Sequence, residues 1–126
     1  MYNILVIDDD PDVLEVLCEM LKDHYDCELE VAVDGEDALL KSGQRKFDLV
    51  CTDYRMPIMN GGKFIVFLRG RPGPNQQTPI LIITGYSDEV QQYPKGLDKV
   101  FFVNKPIIPR DFYSCIDKTI ASASSD

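Results

Sequence analysis

Five polar residues give this chain its chemistry: Asp8, Asp9, Asp53, Thr84 and Lys105 each stand at or just past the end of a short apolar run. Carboxylates with no His or Cys beside them are hard oxygen ligands, suited to Mg²⁺ or a similar ion that keeps several waters. Bringing them together is costly. At an effective dielectric of about 20, two carboxylates about 4 Å apart repel by about 4 kcal/mol, so a cluster of three needs compensation. Lys105 supplies one positive charge and leaves two negatives, which a divalent cation would neutralise. Protonation of one carboxyl is the alternative. With the lysine already present, the metal is favoured.

Whether these residues meet depends on the elements that carry them. The apolar runs Ile4 to Ile7, Leu49 to Cys51, Ile80 to Ile83 and Val100 to Val103 are rich in β-branched and aromatic residues, the pattern of buried parallel strands. Between them helical patterns recur. Asp10-Pro11 is an N-cap followed by a first-turn proline, and Val13, Leu14, Leu17 and Leu21 then repeat at helical spacing. Leu29 to Val33 reads as a further strand, and Asp34-Gly35 turns into a helix with Ala38 and Leu39. A loop at Met56-Pro57 leads into a helix from about Lys63 to Leu68, stopped by Gly70, Pro72, Gly73 and Pro74. After the fourth run a Ser87-capped helix is cut short by Pro94. Phe112, Ile116 and Ile120 mark a last amphipathic helix.

Strand and helix alternate five times, which predicts an α/β, flavodoxin-like, doubly wound (βα)5 fold with a five-stranded parallel sheet in the order 2-1-3-4-5. That order sets strands 1 and 3 side by side. Asp8, Asp9 and Asp53 become neighbours at the sheet edge where ligands bind in such folds.

The bulk properties fit one domain, placed at residues 1–121, with 122–126 as a polar tail or severed linker. A formal net charge of −8 disfavours nucleic acid or an anionic membrane as a direct partner, because phosphate binding needs a basic surface. Cys18, Cys27, Cys51 and Cys115 lack C-x-x-C spacing, and a strand begins almost at Met1 with no leader pattern before it. A reducing, cytoplasmic setting is expected, with the cysteines acting as small hydrophobes. No apolar run is long enough to span a membrane. His24, the one histidine, is expected on the surface near a helix end, which makes a self-contained histidine kinase an unsuitable reading.

Taken in order, Val6-Ile7-Asp8-Asp9-Asp10, Thr52-Asp53-Tyr54-Arg55-Met56-Pro57 with Asn60-Gly61, Thr84-Gly85 and Lys105-Pro106 closely resemble the response-regulator receiver domains of two-component signalling. The resemblance runs from Ile4 to about Ile120. It implies that Asp53 accepts a phosphoryl group from a phosphohistidine on a sensor histidine kinase or phosphotransfer protein. It further implies Mg²⁺ (or Mn²⁺) held by Asp9, Asp53 and the backbone carbonyl of Arg55, with Asp8 acting mostly through a metal-bound water. Lys105 would pair with one phosphoryl oxygen, the Thr84 hydroxyl would turn to another, and Phe102 stands at the position of an aromatic that turns inward on activation. Such a domain catalyses only its own phosphorylation and dephosphorylation. It passes the signal to a downstream protein effector, as a monomer or a weak phosphorylation-dependent dimer. Arg55 and Tyr86 hold the positions flanking the phosphoryl group, so a slowly hydrolysed phosphoprotein is expected.

Simpler readings stand beside these. Thr84 before Gly85 could be only a turn residue, Lys105 a solvated lysine, and Phe102 a core aromatic. Asp10 is a helix cap. Asn60 stands where the family commonly has Asp, and Pro94 and Gly96 interrupt the segment that most receivers use for output. Two rival functions remain: a haloacid-dehalogenase-like phosphatase, suggested by Asp8-x-Asp10 directly after the first strand with Asp8 as nucleophile, and a docking module that works without phosphorylation.

Overall fold

The computed structural model describes residues 1–85 and 98–123. Tyr86, the Ser87-capped helix with Pro94 and Gly96, and residues 124–126 of the expected tail lie outside the described residues. Five strands, β1 (Tyr2–Ile7), β2 (Cys27–Ala32), β3 (Leu49–Asp53), β4 (Ile80–Thr84) and β5 (Val100–Asn104), form one parallel sheet in the order β2-β1-β3-β4-β5. Helices α1 (Pro11–His24), α2 (Gly35–Ser42) and α3 (Gly61–Gly70) and a C-terminal helix (Pro109–Ser122) supply the crossovers.

Alternation along each strand divides the core in two. Ile4, Val6, Leu49, Cys51, Leu81 and Ile83 face α1 and the C-terminal helix, meeting Leu14, Leu17, Leu21, Phe112 and Ile116. Leu5, Ile7, Val50, Ile80 and Ile82 face α2 and α3, meeting Ala38, Phe64, Ile65 and Leu68. These central side chains are fully buried, and each large aliphatic among them contributes about 1.5 to 3 kcal/mol by leaving water.

Some boundaries move. β3 and β4 run on to include Asp53 and Thr84, because the ladder pairs backbone groups whatever the side chain: Asp53 aligns with Ile83 and Thr84 with Asn104. β2 begins at Cys27 rather than Leu29 and ends at Ala32 rather than Val33; as an edge strand it carries Glu28 and Glu30, which blur an apolar pattern. α3 starts at Gly61 rather than Lys63, since the Asn60 side chain accepts a hydrogen bond from the Lys63 N–H at 2.8 Å and caps the helix.

The loop between α3 and β4 is held by polar side chains. Buried Asn75 accepts from the Phe47 N–H and the Thr78 hydroxyl, and donates to the carbonyls of Ser42 and Arg45. Arg69 donates to the carbonyls of Gln76, Thr78 and Asp98. Together they tie the ends of α2 and α3 to the start of β3 and β4.

Candidate functional site

The site is built at the carboxyl edge of the sheet, where β1, β3, β4 and β5 end side by side. The Asp8 backbone N–H continues the ladder by donating to Ala32 O at 3.1 Å, which fixes the residue at the tip of β1. Its Oδ1 accepts from the Asp10 N–H at 2.9 Å. Its Oδ2 is buried and has no hydrogen-bond partner. Asp9 is exposed, and Asp10 caps α1 by accepting from the Asp12 N–H at 2.9 Å.

Asp53 is the last residue of β3 and 6 % exposed. Oxygens of Asp8, Asp9 and Asp53 all lie within 4.8 Å of one another. Lys105 reaches Asp53 Oδ1 with its Nζ at 3.1 Å, and its backbone N–H donates to Thr84 O at 2.8 Å, which seats the loop after β5 against the end of β4. The Lys105-Pro106 peptide is cis. Thr84 is buried at the tip of β4. The structure thus gathers Asp8, Asp9, Asp53 and Lys105 into one cluster, with Thr84 on the strand between β3 and β5.

Burial dominates the acidity of the two buried carboxyls. Asp8 is pushed up to about 6, first by burial and then by the neighbouring Asp53 and Asp9 charges, against the opposing hydrogen bond from Asp10 and the Lys105 charge. Asp53 is also raised, by burial above all, while Lys105 pulls it down and Asp9 pushes it up. An orphaned buried oxygen beside three converging carboxylates is the donor set that a hard divalent cation satisfies.

Two features of the surrounding loops were not legible in the sequence. Gly61 N–H donates to Tyr54 O at 2.7 Å, and a Cβ at Gly61 would stand 3.0 Å from Asp53 O and 3.1 Å from Tyr54 Cα. The absence of a side chain at Gly61 lets α3 begin this close to the strand bearing Asp53, since a Cβ would crowd backbone atoms that must yield to admit it. Ile58 has φ 73°, and the Met59 N–H donates to Pro57 O at 2.7 Å, a γ-turn of the rare strained hand. Arg55 is exposed in the same loop. Phe102 is half-buried against the core on the α2 and α3 side. His24 is exposed as expected, yet stacks on Tyr113 of the C-terminal helix with ring centres 3.9 Å apart. All four cysteines are free thiols, and Cys51 is fully buried in β3. Among the described residues no helix is long and apolar enough to cross a membrane.

Residues 4–117 match the family model for the response regulator receiver domain. A response regulator receiver protein of Anaeromyxobacter is 39 % identical over 112 residues, covering 87 % of this chain and 45 % of that protein. The chain spans about half or less of the length of the curated relatives it matches. The chemotaxis response regulator CheY4 of Vibrio cholerae superposes with a TM-score of 0.83 at 28 % identity, covering 94 % of this chain and 98 % of that one. The receiver domain of a sensor histidine kinase from Pseudomonas aeruginosa, described with magnesium in its active-site cleft, superposes at 0.81 with 20 % identity, covering 95 % and 98 %.

Proposed function

This chain belongs to the response regulator receiver family, and from that premise we propose that residues 1–121 form a phosphoacceptor domain in which Asp53 takes a phosphoryl group from a phosphohistidine of a sensor kinase or phosphotransfer protein. The observation that carries the reading is the placement of Asp53 between Lys105 and two further carboxylates at one strand edge. An Asp53 oxygen forms the new bond to phosphorus as the phosphorus–nitrogen bond breaks, and the imidazole leaves with the electron pair. Phosphoryl transfer is mostly positioning and charge neutralisation. Lys105 holds a cation beside the oxygens that gain charge, and the Thr84 hydroxyl donates to another of them. Asp9, Asp53 and the Arg55 carbonyl would hold Mg²⁺ (or Mn²⁺), with Asp8 behind them, and the ion when bound supplies charge neutralisation at the phosphoryl oxygens.

The signal then moves along the sheet. Thr84 aligns with Asn104 and Ile82 with Phe102, so period-two alternation puts the Thr84 and Phe102 side chains on one face of the β4–β5 pair. Movement of Thr84 toward a phosphoryl oxygen opens space on that face for Phe102 to turn inward. The partner docks around the same edge, where the loops after β3 and β5 expose Ile58 and Ile108, at 70 % and 49 %, as apolar contacts. A downstream protein effector reads the result.

Wild type and Asp53→Asn incubated with acetyl phosphate and Mg²⁺, then weighed by mass spectrometry, test the reading. One added phosphoryl group on wild type and none on the variant is the expected result. Labelling of Asp8 would favour the phosphatase reading instead. No labelling at all would leave a docking module.

A further inference from the structure

β3 carries a buried hydroxyl directly beside the nucleophile. Thr52, next in sequence to Asp53, is fully buried, and alternation from Val50 sets its side chain on the α2 and α3 side of the sheet. A hydroxyl in such surroundings is costly unless it finds an acceptor. Two stand within reach of Thr52 Oγ1: the backbone carbonyl oxygen of Asp53 at 3.0 Å and the Met56 Sδ at 3.8 Å. The hydroxyl has one proton to give, and a thioether is the weaker acceptor, so the Asp53 carbonyl receives it.

That carbonyl stands where the regular ladder gives out. On the β1 side the register ends at Ile7 and Thr52, one residue before Asp53. On the β4 side the Tyr54 N–H donates to Ile83 O at 2.9 Å. The Asp53-Tyr54 peptide is therefore held at its N–H by β4 and at its carbonyl by Thr52. A Cβ at Gly61 would stand 3.0 Å from the same carbonyl oxygen, so α3 closes tightly over this peptide. Rotating the peptide would turn the Asp53 carboxylate relative to Lys105, Asp8 and Asp9, and relative to the backbone of Arg55 two residues on.

We propose that Thr52 is a positioning residue for Asp53, its hydroxyl fixing the Asp53-Tyr54 peptide and so the direction in which the carboxylate points. The inference rests on the phosphoacceptor reading of Asp53. Thr52 touches neither the phosphoryl donor nor the reacting atoms and acts through the nucleophile alone. A small hard cation tolerates little displacement of its oxygen ligands, and in-line attack on phosphorus tolerates little displacement of the attacking oxygen. A threonine that only satisfied its own hydroxyl on a neighbouring carbonyl would add stability and leave both properties untouched.

The test compares wild type with Thr52→Val, which keeps the branched shape and loses the hydroxyl, and Thr52→Ser, which keeps the hydroxyl. Mg²⁺ affinity is read from ion-dependent shifts of the Tyr54 amide in the ¹⁵N-labelled chain. Phosphoryl uptake is read by mass spectrometry at saturating Mg²⁺ and fixed acetyl phosphate, and urea curves establish that each variant is folded. Thr52→Val should bind Mg²⁺ several-fold more weakly and take up the phosphoryl group about tenfold more slowly, a part of the roughly hundredfold loss that a misplacement of about 1 Å brings. Thr52→Ser should match wild type on both counts, as should Met56→Leu, which removes the sulfur and keeps the bulk. Should Thr52→Val not fold, Thr52→Ala takes its place in the same comparison. Unchanged affinity and uptake in the folded variant lacking the hydroxyl would make Thr52 merely structural and overturn the proposal. Thr52→Ser as impaired as Thr52→Val would overturn it too, and so would Met56→Leu equally impaired, which would assign the hydroxyl to the sulfur. A wild type that takes no phosphoryl group would bring down the phosphoacceptor reading instead, while the Mg²⁺ affinities of the variants still decide the role of Thr52.

Discussion

At Asp8 the cost of the acidic cluster is concentrated in one atom, the buried Oδ2 without a partner. Its carboxyl is pushed up to about 6 from an ordinary 3.8, so between those values the folded chain binds more protons than the unfolded one. Stability therefore falls as pH rises through that window, and the penalty is fully present above it. Asp8→Asn removes the charge and keeps the shape. In chelator at pH 7.5 the variant should need more urea to unfold than wild type, and the gap should narrow as pH falls below about 6 and close only as it approaches the ordinary carboxyl value of 3.8. A constant gap would mean that Asp8 is not the strained group. A second residue-scale expectation concerns Arg55, exposed two places after Asp53, and Tyr86, two places after Thr84. If both crowd the path of the attacking water, displacing it by about 1 Å slows hydrolysis on the order of a hundredfold. The Arg55→Ala/Tyr86→Ala protein should lose its phosphoryl group much faster than wild type once the donor is removed, and equal decay would dismiss the shielding.

The elements that aim these residues depend on close approaches. Adding a methyl at Gly61 drives a Cβ against the backbone of Asp53 and Tyr54, neither of which can swing aside. Gly61→Ala should cost about 1 to 3 kcal/mol in chemical denaturation and slow phosphoryl uptake as well, because the atoms it displaces carry the nucleophile. Asn75 braces the far edge with four hydrogen bonds. Asn75→Ala strands the buried Phe47 N–H and should destabilise by about 3 kcal/mol, with phosphorylation chemistry intact in the molecules that remain folded. These two residues show where reading the sequence reaches its limit. Strand ends were legible because an apolar run stopping at a charged residue is a local pattern, and Asp10 and Asp34 were legible as helix starts for the same reason. Asn60 as a cap, Gly61 as a contact and Asn75 as a brace depend on what comes near them in space. So does the γ-turn at Ile58, since a β-branched residue gives no local signal for positive φ.

Across the whole molecule, acidic charge is concentrated at one edge, where Asp8, Asp9 and Asp53 meet Lys105. The parallel topology causes this, because every strand delivers its last residue to one edge, and residues that one-dimensional spacing leaves far apart are forced into a common field. The fold holds that field together through the apolar layers on both faces of the sheet, so relief of the repulsion should register as global stability. A divalent cation binds the folded cluster and finds no such arrangement in the unfolded chain, so mass action raises the melting temperature as Mg²⁺ is added. Asp9→Asn, which removes the exposed ligand and leaves the core untouched, should shrink that rise. Arg71→Glu, on the other edge, should leave it unchanged. The raised Asp8 and Asp53 carboxyls set the sign of the pH dependence: protonating either removes negative charge that draws the ion, so the Mg²⁺-induced rise should be larger at pH 7.5 than at pH 5. Thermal melts across millimolar Mg²⁺ at both pH values decide it. A melting temperature indifferent to the ion, or equally raised at both pH values, would place the stabilising site away from this cluster.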